Sequence, residues 1–178
     1  MNHRFSAIAM LSMVAVMLTG CPFFPKTVDF VDLERYTGLW YQVAGYPFGP
    51  SDGLVGITAE YTLRDDGRIT VVNAGFEGDF DGPVDEFEAV ATVVAPLTNA
   101  RLAVGLGLLP AKRLGIGNYW IIDLDEDDYQ WAVVTDPLRA TLFILHREPA
   151  IELDLYMEIL ERLDAQGFDI DRIELIEQ

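Results

Sequence analysis

Val31-Asp32-Leu33-Glu34-Arg35-Tyr36-Thr37-Gly38-Leu39-Trp40-Tyr41 is the stretch on which the fold turns. Gly38 and Trp40 open the first of eight short runs, apolar or alternating in polarity, at about 39–46, 56–63, 68–76, 86–95, 100–107, 117–124, 129–135 and 140–147. Polar breaks separate the runs: Asp65-Asp66-Gly67, which suits a tight hairpin, Asp125 to Asp128, and Asp136-Pro137. No helix-period segment of useful length interrupts them, so a parallel α/β sheet is not expected and an all-β, eight-stranded, up-and-down antiparallel barrel is. In such a barrel the first strand begins and the eighth ends at the same rim. Trp40 and Arg147, at those two places, would then meet in a cation–π contact worth about 1–2 kcal/mol if desolvated.

Alternation is clean in several runs. Ile57, Ala59, Tyr61 and Leu63 oppose Thr58, Glu60 and Thr62, and Leu102, Val104 and Leu106 oppose Ala103 and Gly105. The third run breaks the period at Ile69, Val71 and Val72, and a strand apolar on both faces needs cover outside the barrel. The segment from Pro149 to Gly167 can supply it, because Ile151, Leu155, Ile159, Leu160 and Leu163 recur at helical spacing among charged residues. One C-terminal α-helix packed on the outside of the barrel is therefore expected. Its polar face is acidic, which argues against a free membrane-surface helix.

Upstream of the decisive stretch, His3 and Arg4 precede an apolar segment from Phe5 to Leu18. That segment is shorter than the roughly 20 residues of a spanning helix and suits a signal peptide. It ends in Leu18-Thr19-Gly20-Cys21, which resembles the lipobox of bacterial lipoproteins. The resemblance implies cleavage before Cys21 and acylation of that residue, the only cysteine in the chain. Several acyl chains together anchor a protein almost irreversibly. With Pro22 in place of an inner-membrane-retaining Asp, the expected address is the outer membrane, facing the periplasm. The organisation read from the sequence is a lipoprotein signal peptide at 1–20, a lipidated tether at 21–30 and one domain at 31–178.

Composition narrows the chemistry. The chain has 178 residues, 51% of them hydrophobic, with 12 Lys and Arg against 29 Asp and Glu. Removing twenty residues leaves 158, and the loss of Arg4 takes the formal charge from −17 to −18. Such a surface opposes phosphate binding, so nucleic acid is not an expected partner. A mature chain keeping only His146 has neither a two-histidine metal site nor a Cys–His dyad. His146 is read as a strand residue facing solvent, and neither catalytic nor metal-ligating residues are expected.

Gly38-x-Trp40 resembles the first motif of the lipocalins, and Asp32-Leu-x-Arg-Tyr before it is similar to bacterial members of that family. Asp125 and Tyr129 match the second motif, and Arg147 the third. Tyr61-Thr-Leu-Arg-Asp-Asp-Gly67 and Asn73 are also similar, and the likeness covers about residues 28–178. It implies that Gly38, Trp40, Asp125, Tyr129 and Arg147 close the barrel. It also implies a calyx for fatty acids or lysophospholipids, without a cofactor and without a chemical step. Eight strands enclose room for one small ligand.

Setting Trp40 and Arg147 inward gives Gln42, Ala44, Phe143 and Leu145 the same direction. Carrying the family pattern along the other strands adds Ala59, Tyr61, Val71, Asn73, Ala89, Ala91, Leu102, Val104, Tyr119, Ile121, Ala132 and Val134 as inward candidates. Mostly apolar, with a few polar groups, that set suits a chain with a polar head. A barrel filled by its own side chains, acting as an envelope interaction module, is the alternative. An enzyme on the same fold is a second one, for which Asp123, inward by the same parity, is the candidate acid or base.

Two loops complete the reading. Gly105 to Gly117 joins the fifth and sixth runs at the open end. It is read as a lid, a lipid entry edge or a contact in a possible homodimer, with Lys112 and Arg113 placed to receive a lipid phosphate or carboxylate. Glu77-x-Asp79-x-Asp81-Gly82 with Glu88 has calcium-loop spacing, but strand-like flanks make it an acidic connection instead.

Overall fold

A computed structural model describes residues 24–105 and 115–178 of the protein. The leader, Cys21, Lys112 and Arg113 lie outside the described residues.

Eight antiparallel strands follow one another: β1 (Gly38–Gly45), β2 (Leu54–Leu63), β3 (Ile69–Glu77), β4 (Val84–Val93), β5 (Arg101–Gly105), β6 (Tyr119–Leu124), β7 (Trp131–Thr135) and β8 (Leu142–His146). Each pairs with the next, and β1 pairs with both β8 and β2, so the sheet closes into a barrel without a crossover. A four-residue helix, α1 (Leu33–Tyr36), precedes the barrel, and α2 (Leu153–Ala165) follows it. The Asp65–Gly67 turn and the acidic 78–83 turn each join antiparallel neighbours, as their composition indicates.

Two apolar clusters sit on opposite sides of the sheet. Inside one half of the barrel, Trp40, Tyr36, Val71, Ala91, Leu102, Ile121, Leu124, Ala132 and Val134 pack together. Outside, Ile159 and Leu163 of α2, with Phe168 beyond it, cover Val43, Trp120, Ile122, Trp131, Val133, Leu142 and Ile144. The helix therefore lies over β6, β7, β8 and β1 rather than over β3, where the sequence pattern had put the need for cover. The apolar runs Trp120-Ile121-Ile122 and Trp131-Ala132-Val133-Val134 explain this. Buried on both faces, they lose alternation because both sides meet protein.

Two bulges change the direction of side chains along the strands. Between Gln42 and Ala44 the register of β1 against β8 shifts, leaving Ala44 opposite Ile144 and in the outer cluster. Strict alternation would have kept Ala44 inward with Gln42; the extra residue, Val43, reverses it. Between Ile121 and Asp123 a second shift puts Asp123 opposite Val133, again on the outer side.

Beyond α2, a short strand β9 (Glu174–Leu175) pairs with Ala44 and Gly45 of β1. Direct β1–β2 pairing runs only from Gly38–Tyr61 to Tyr41–Thr58, and the chain from Glu174 onward fills the seam above it. Ile176 donates its N–H to the Val43 carbonyl at 2.9 Å, and Gly56 donates to the Glu177 carbonyl at 2.7 Å. Gln178 Nε2 reaches the carbonyls of Gln42 at 2.7 Å and Ile57 at 3.2 Å. Deleting residues 174–178 removes these bonds and is expected to lower unfolding free energy by about 1–3 kcal/mol in urea melts; unchanged stability would show that the suture contributes nothing.

Candidate functional site

At the half of the barrel away from Trp40 the packed interior gives way to an open-ended cavity of about 700 Å³. That lies within the range of roughly 300–1,000 Å³ typical of small-molecule sites. Its wall is mostly apolar, built from Ile57, Ala59, Val71, Ala74, Val104, Phe143 and Leu145, with Phe48, Leu54 and Phe87 toward the mouth. Gln42 and Asn73 contribute side-chain amides that bond to no other described residue. Asn118 is spent differently: its amide accepts from Val104 N at 2.8 Å and donates to the Val104 carbonyl at 3.0 Å, extending β5 by one pair.

Of the residues read as inward, Gln42, Ala59, Tyr61, Val71, Asn73, Val104, Tyr119, Phe143 and Leu145 line this cavity. Ala89, Ala91, Leu102, Ile121, Ala132 and Val134 also lie in the barrel cluster, but in the packed half below it. Ala44 is on the outer side, for the reason given above. The parity reading missed Phe87, although it lies two residues before Ala89 on the same face and opposite Asn73. Ile57 follows from the alternation it shares with Ala59 and Tyr61, whereas Leu54 and Thr58 were not legible because β2 is itself irregular between Val55 and Thr58.

The floor of the cavity is a row of three phenols. Tyr119 Oη lies 2.8 Å from Tyr36 Oη and 2.9 Å from Tyr61 Oη, and the Tyr61 ring stands edge-on to both neighbours. Tyr61 and Tyr119 face the cavity, whereas Tyr36 belongs to α1 beneath it. Burial pushes all three phenols above the ordinary value of 10, Tyr61 to about 12, against a smaller opposing pull from the hydrogen bonds of Tyr119 on Tyr36 and Tyr61.

A phenol raised in the folded state holds its proton there and loses it first in the unfolded chain. Its stabilising effect is therefore whole below pH 10 and is lost as the pH rises through about 12. Urea melts at rising pH should accordingly show stability level to about pH 10 and falling beyond it, with the phenolate absorbance of the trio appearing only as the fold is lost. Early ionisation of all tyrosines in a folded protein would contradict the buried trio.

The opposite rim explains the decisive stretch residue by residue. Asp32 caps α1 by accepting from the N–H groups of Glu34 and Arg35. Its own N–H donates to Tyr129 Oη at 2.9 Å. Arg35 lies over the Tyr129 ring at 4.1 Å and donates to the carbonyls of Glu126 and Asp127 in the β6–β7 turn. Asp125 holds that turn by accepting from Gln130 N at 3.0 Å.

Trp40 is completely buried and donates Nε1–H to the Tyr36 carbonyl at 2.8 Å. The Arg147 guanidinium sits 3.7 Å from the Trp40 ring centre. It donates to the carbonyls of Leu39 at 2.7 Å, of Arg35 and Thr37 at 2.9 Å each, and of Tyr129 at 3.2 Å. Gly38 adopts φ +92°, a conformation glycine takes without strain, and a Cβ there would stand 3.5 Å from Arg147 Nη1.

Asp123, the carboxylate the enzymatic alternative relied on, points out of the barrel and pairs with Arg162 of α2 at 3.4 Å. Burial raises its pKa, and the Arg162 charge opposes the rise. His146 also lies outside the cavity, with Nδ1 3.0 Å from the Glu148 carbonyl oxygen.

An eight-stranded barrel, sealed at one rim by a Trp–Arg pair and hollow at the other with an apolar chamber sized for one small molecule, defines a calyx protein. Residues 31–178 match the lipocalin-like domain family. The chain is 33% identical over 174 residues to an outer membrane lipoprotein Blc of Vibrio cholerae, covering 94% of this chain and 96% of that protein. It is equally 33% identical over 153 residues to temperature-induced lipocalin-1 of Arabidopsis thaliana, covering 83% and 80%. Among solved structures, insecticyanin of the tobacco hornworm Manduca sexta superposes with a TM-score of 0.62 over 86% of this chain and 84% of that one, at 15% identity. The protein belongs to the lipocalin family.

Proposed function

We propose that the protein is a lipid-anchored lipocalin that takes fatty acids or lysophospholipids into its barrel and holds or carries them for maintenance of the cell envelope. The cavity carries this reading: it is apolar along its length, polar at a few points and open at one end only. Each methylene buried contributes about 0.8 kcal/mol, so a long acyl chain reaches micromolar affinity after the cost of association. Lipidation of Cys21 and an outer-membrane position facing the periplasm are part of the proposal. They rest on the lipobox-like Leu18–Cys21 and on relatives that are named outer membrane lipoproteins. No chemical step is included, and the placement of Asp123 outside the chamber supports leaving it out.

The test is displacement of a fluorescent fatty acid from the mature chain, with Cys21 replaced by Ser, by palmitate and by a lysophospholipid. Saturable displacement at one site per chain supports the reading. Failure of both lipids to compete would contradict it.

A further inference from the structure

The phenol row at the cavity floor carries one proton more than its own bonds consume. Three hydroxyls hold three protons, and only two hydrogen bonds join them, Tyr36 to Tyr119 and Tyr119 to Tyr61. No other described residue accepts from any of the three. Whichever way the row is polarised, one O–H and several lone pairs remain unused. Tyr61 and Tyr119, which hold two of the three hydroxyls, face the cavity. A dry hydrocarbon end pressed against this floor would leave those groups unsatisfied, which is costly in an apolar site.

We propose that the floor is a polar subsite for the buried tip of the ligand, and that it selects acyl chains whose inner end bears a neutral hydrogen-bonding oxygen, such as a terminal hydroxyl. A hydroxyl both donates and accepts, so it can take the spare proton of the row and return its own to a phenol lone pair. An ionised carboxylate is a poorer match. Among the described residues, no cationic side chain lines the cavity, while Asp85 and Asp136 do. The burial that holds the phenols protonated also disfavours an anion beside them. The charged head accordingly stays toward the mouth and the oxygenated tip enters first. This inference rests on the carrier reading and narrows the ligand within it.

The experiment compares palmitate with ω-hydroxypalmitate, which share head and chain and differ only at the tip, by displacement of the fluorescent fatty acid. The mature Cys21→Ser chain is used, alone and with Tyr61→Phe, Tyr119→Phe and both. The unmodified floor should bind the hydroxylated chain at least as tightly as palmitate, whereas a fully apolar floor would weaken it by about tenfold or more. The two Tyr→Phe changes together should shift the affinity ratio toward palmitate by about five- to tenfold.

Weaker binding of ω-hydroxypalmitate by the starting protein, or a ratio the variants leave unchanged, overturns the subsite while leaving the carrier reading in place. Binding of neither lipid overturns both. If Tyr119→Phe fails to fold by circular dichroism, the starting protein and Tyr61→Phe still decide: the first should bind the hydroxylated chain at least as tightly as palmitate, and the second should shift the ratio toward palmitate.

Discussion

Trp40→Ala is expected to lower the unfolding free energy by about 3–5 kcal/mol, the range for removing a large aromatic ring from a packed core. The ring has no solvent exposure. It fills the barrel above the sealed rim and carries the Arg147 guanidinium on one face at 3.7 Å. Its removal leaves a void that rigid strands cannot close and strips the guanidinium of its π partner. It also leaves the Tyr36 carbonyl without the Nε1–H it accepts at 2.8 Å. Urea unfolding should show a lower midpoint with an unchanged slope, since the surface exposed on unfolding is nearly the same. A loss under 1 kcal/mol would mean that the rim is held by the Arg147–carbonyl bonds alone.

Val104→Trp should act on binding and leave the fold intact. Val104 projects into the cavity from β5 and is only partly buried there. An indole at this position can occupy open volume without displacing packed neighbours, so the penalty of overpacking is avoided. The volume it takes is volume a lipid chain needs, and each displaced methylene forfeits about 0.8 kcal/mol. Loss of three or four methylenes' worth of contact weakens acyl-lipid binding by about a hundredfold, or to undetectable levels. Thermal stability should stay within a few degrees. Full binding by this variant would place the ligand somewhere other than the barrel.

Much of the fold could be read because its determinants are local. Turn residues mark the strand ends, the Gly38–Trp40 and Arg147 positions fix how the barrel closes, and the 3.6-residue spacing around Ile159 identifies helix α2. Inward parity on β1 and β8 gave Gln42, Phe143 and Leu145, and the lipocalin pattern carried along the other strands gave six more of the lining positions, Ala59, Tyr61, Val71, Asn73, Val104 and Tyr119. Parity failed at Ala44 and Asp123 for one reason: a bulge inserts a residue without any mark in composition, and every side chain beyond it changes face.

Other features depend on partners distant in sequence. Tyr36 reads as part of a rim motif, and nothing local shows that its hydroxyl meets those of Tyr119 and, through it, Tyr61. The two-residue β9 has no periodicity to detect and exists because the seam between β1 and β2 offers it unpaired backbone groups. The half-filled, half-hollow interior was likewise beyond parity, which tells inside from outside but not packed from empty. It depends on the stacking of Trp40, Tyr36, Leu124 and Tyr129 at one rim, which among the described residues has no equally packed counterpart at the mouth.

The central claim is that the hollow half of the barrel holds a lipid. Native mass spectrometry of the mature chain with Cys21 replaced, purified gently from its host, tests it most directly, with the bound mass identified after organic extraction. The account predicts one acyl lipid per chain, released by Val104→Trp. An empty protein that also refuses added palmitate and lysophospholipid would contradict it.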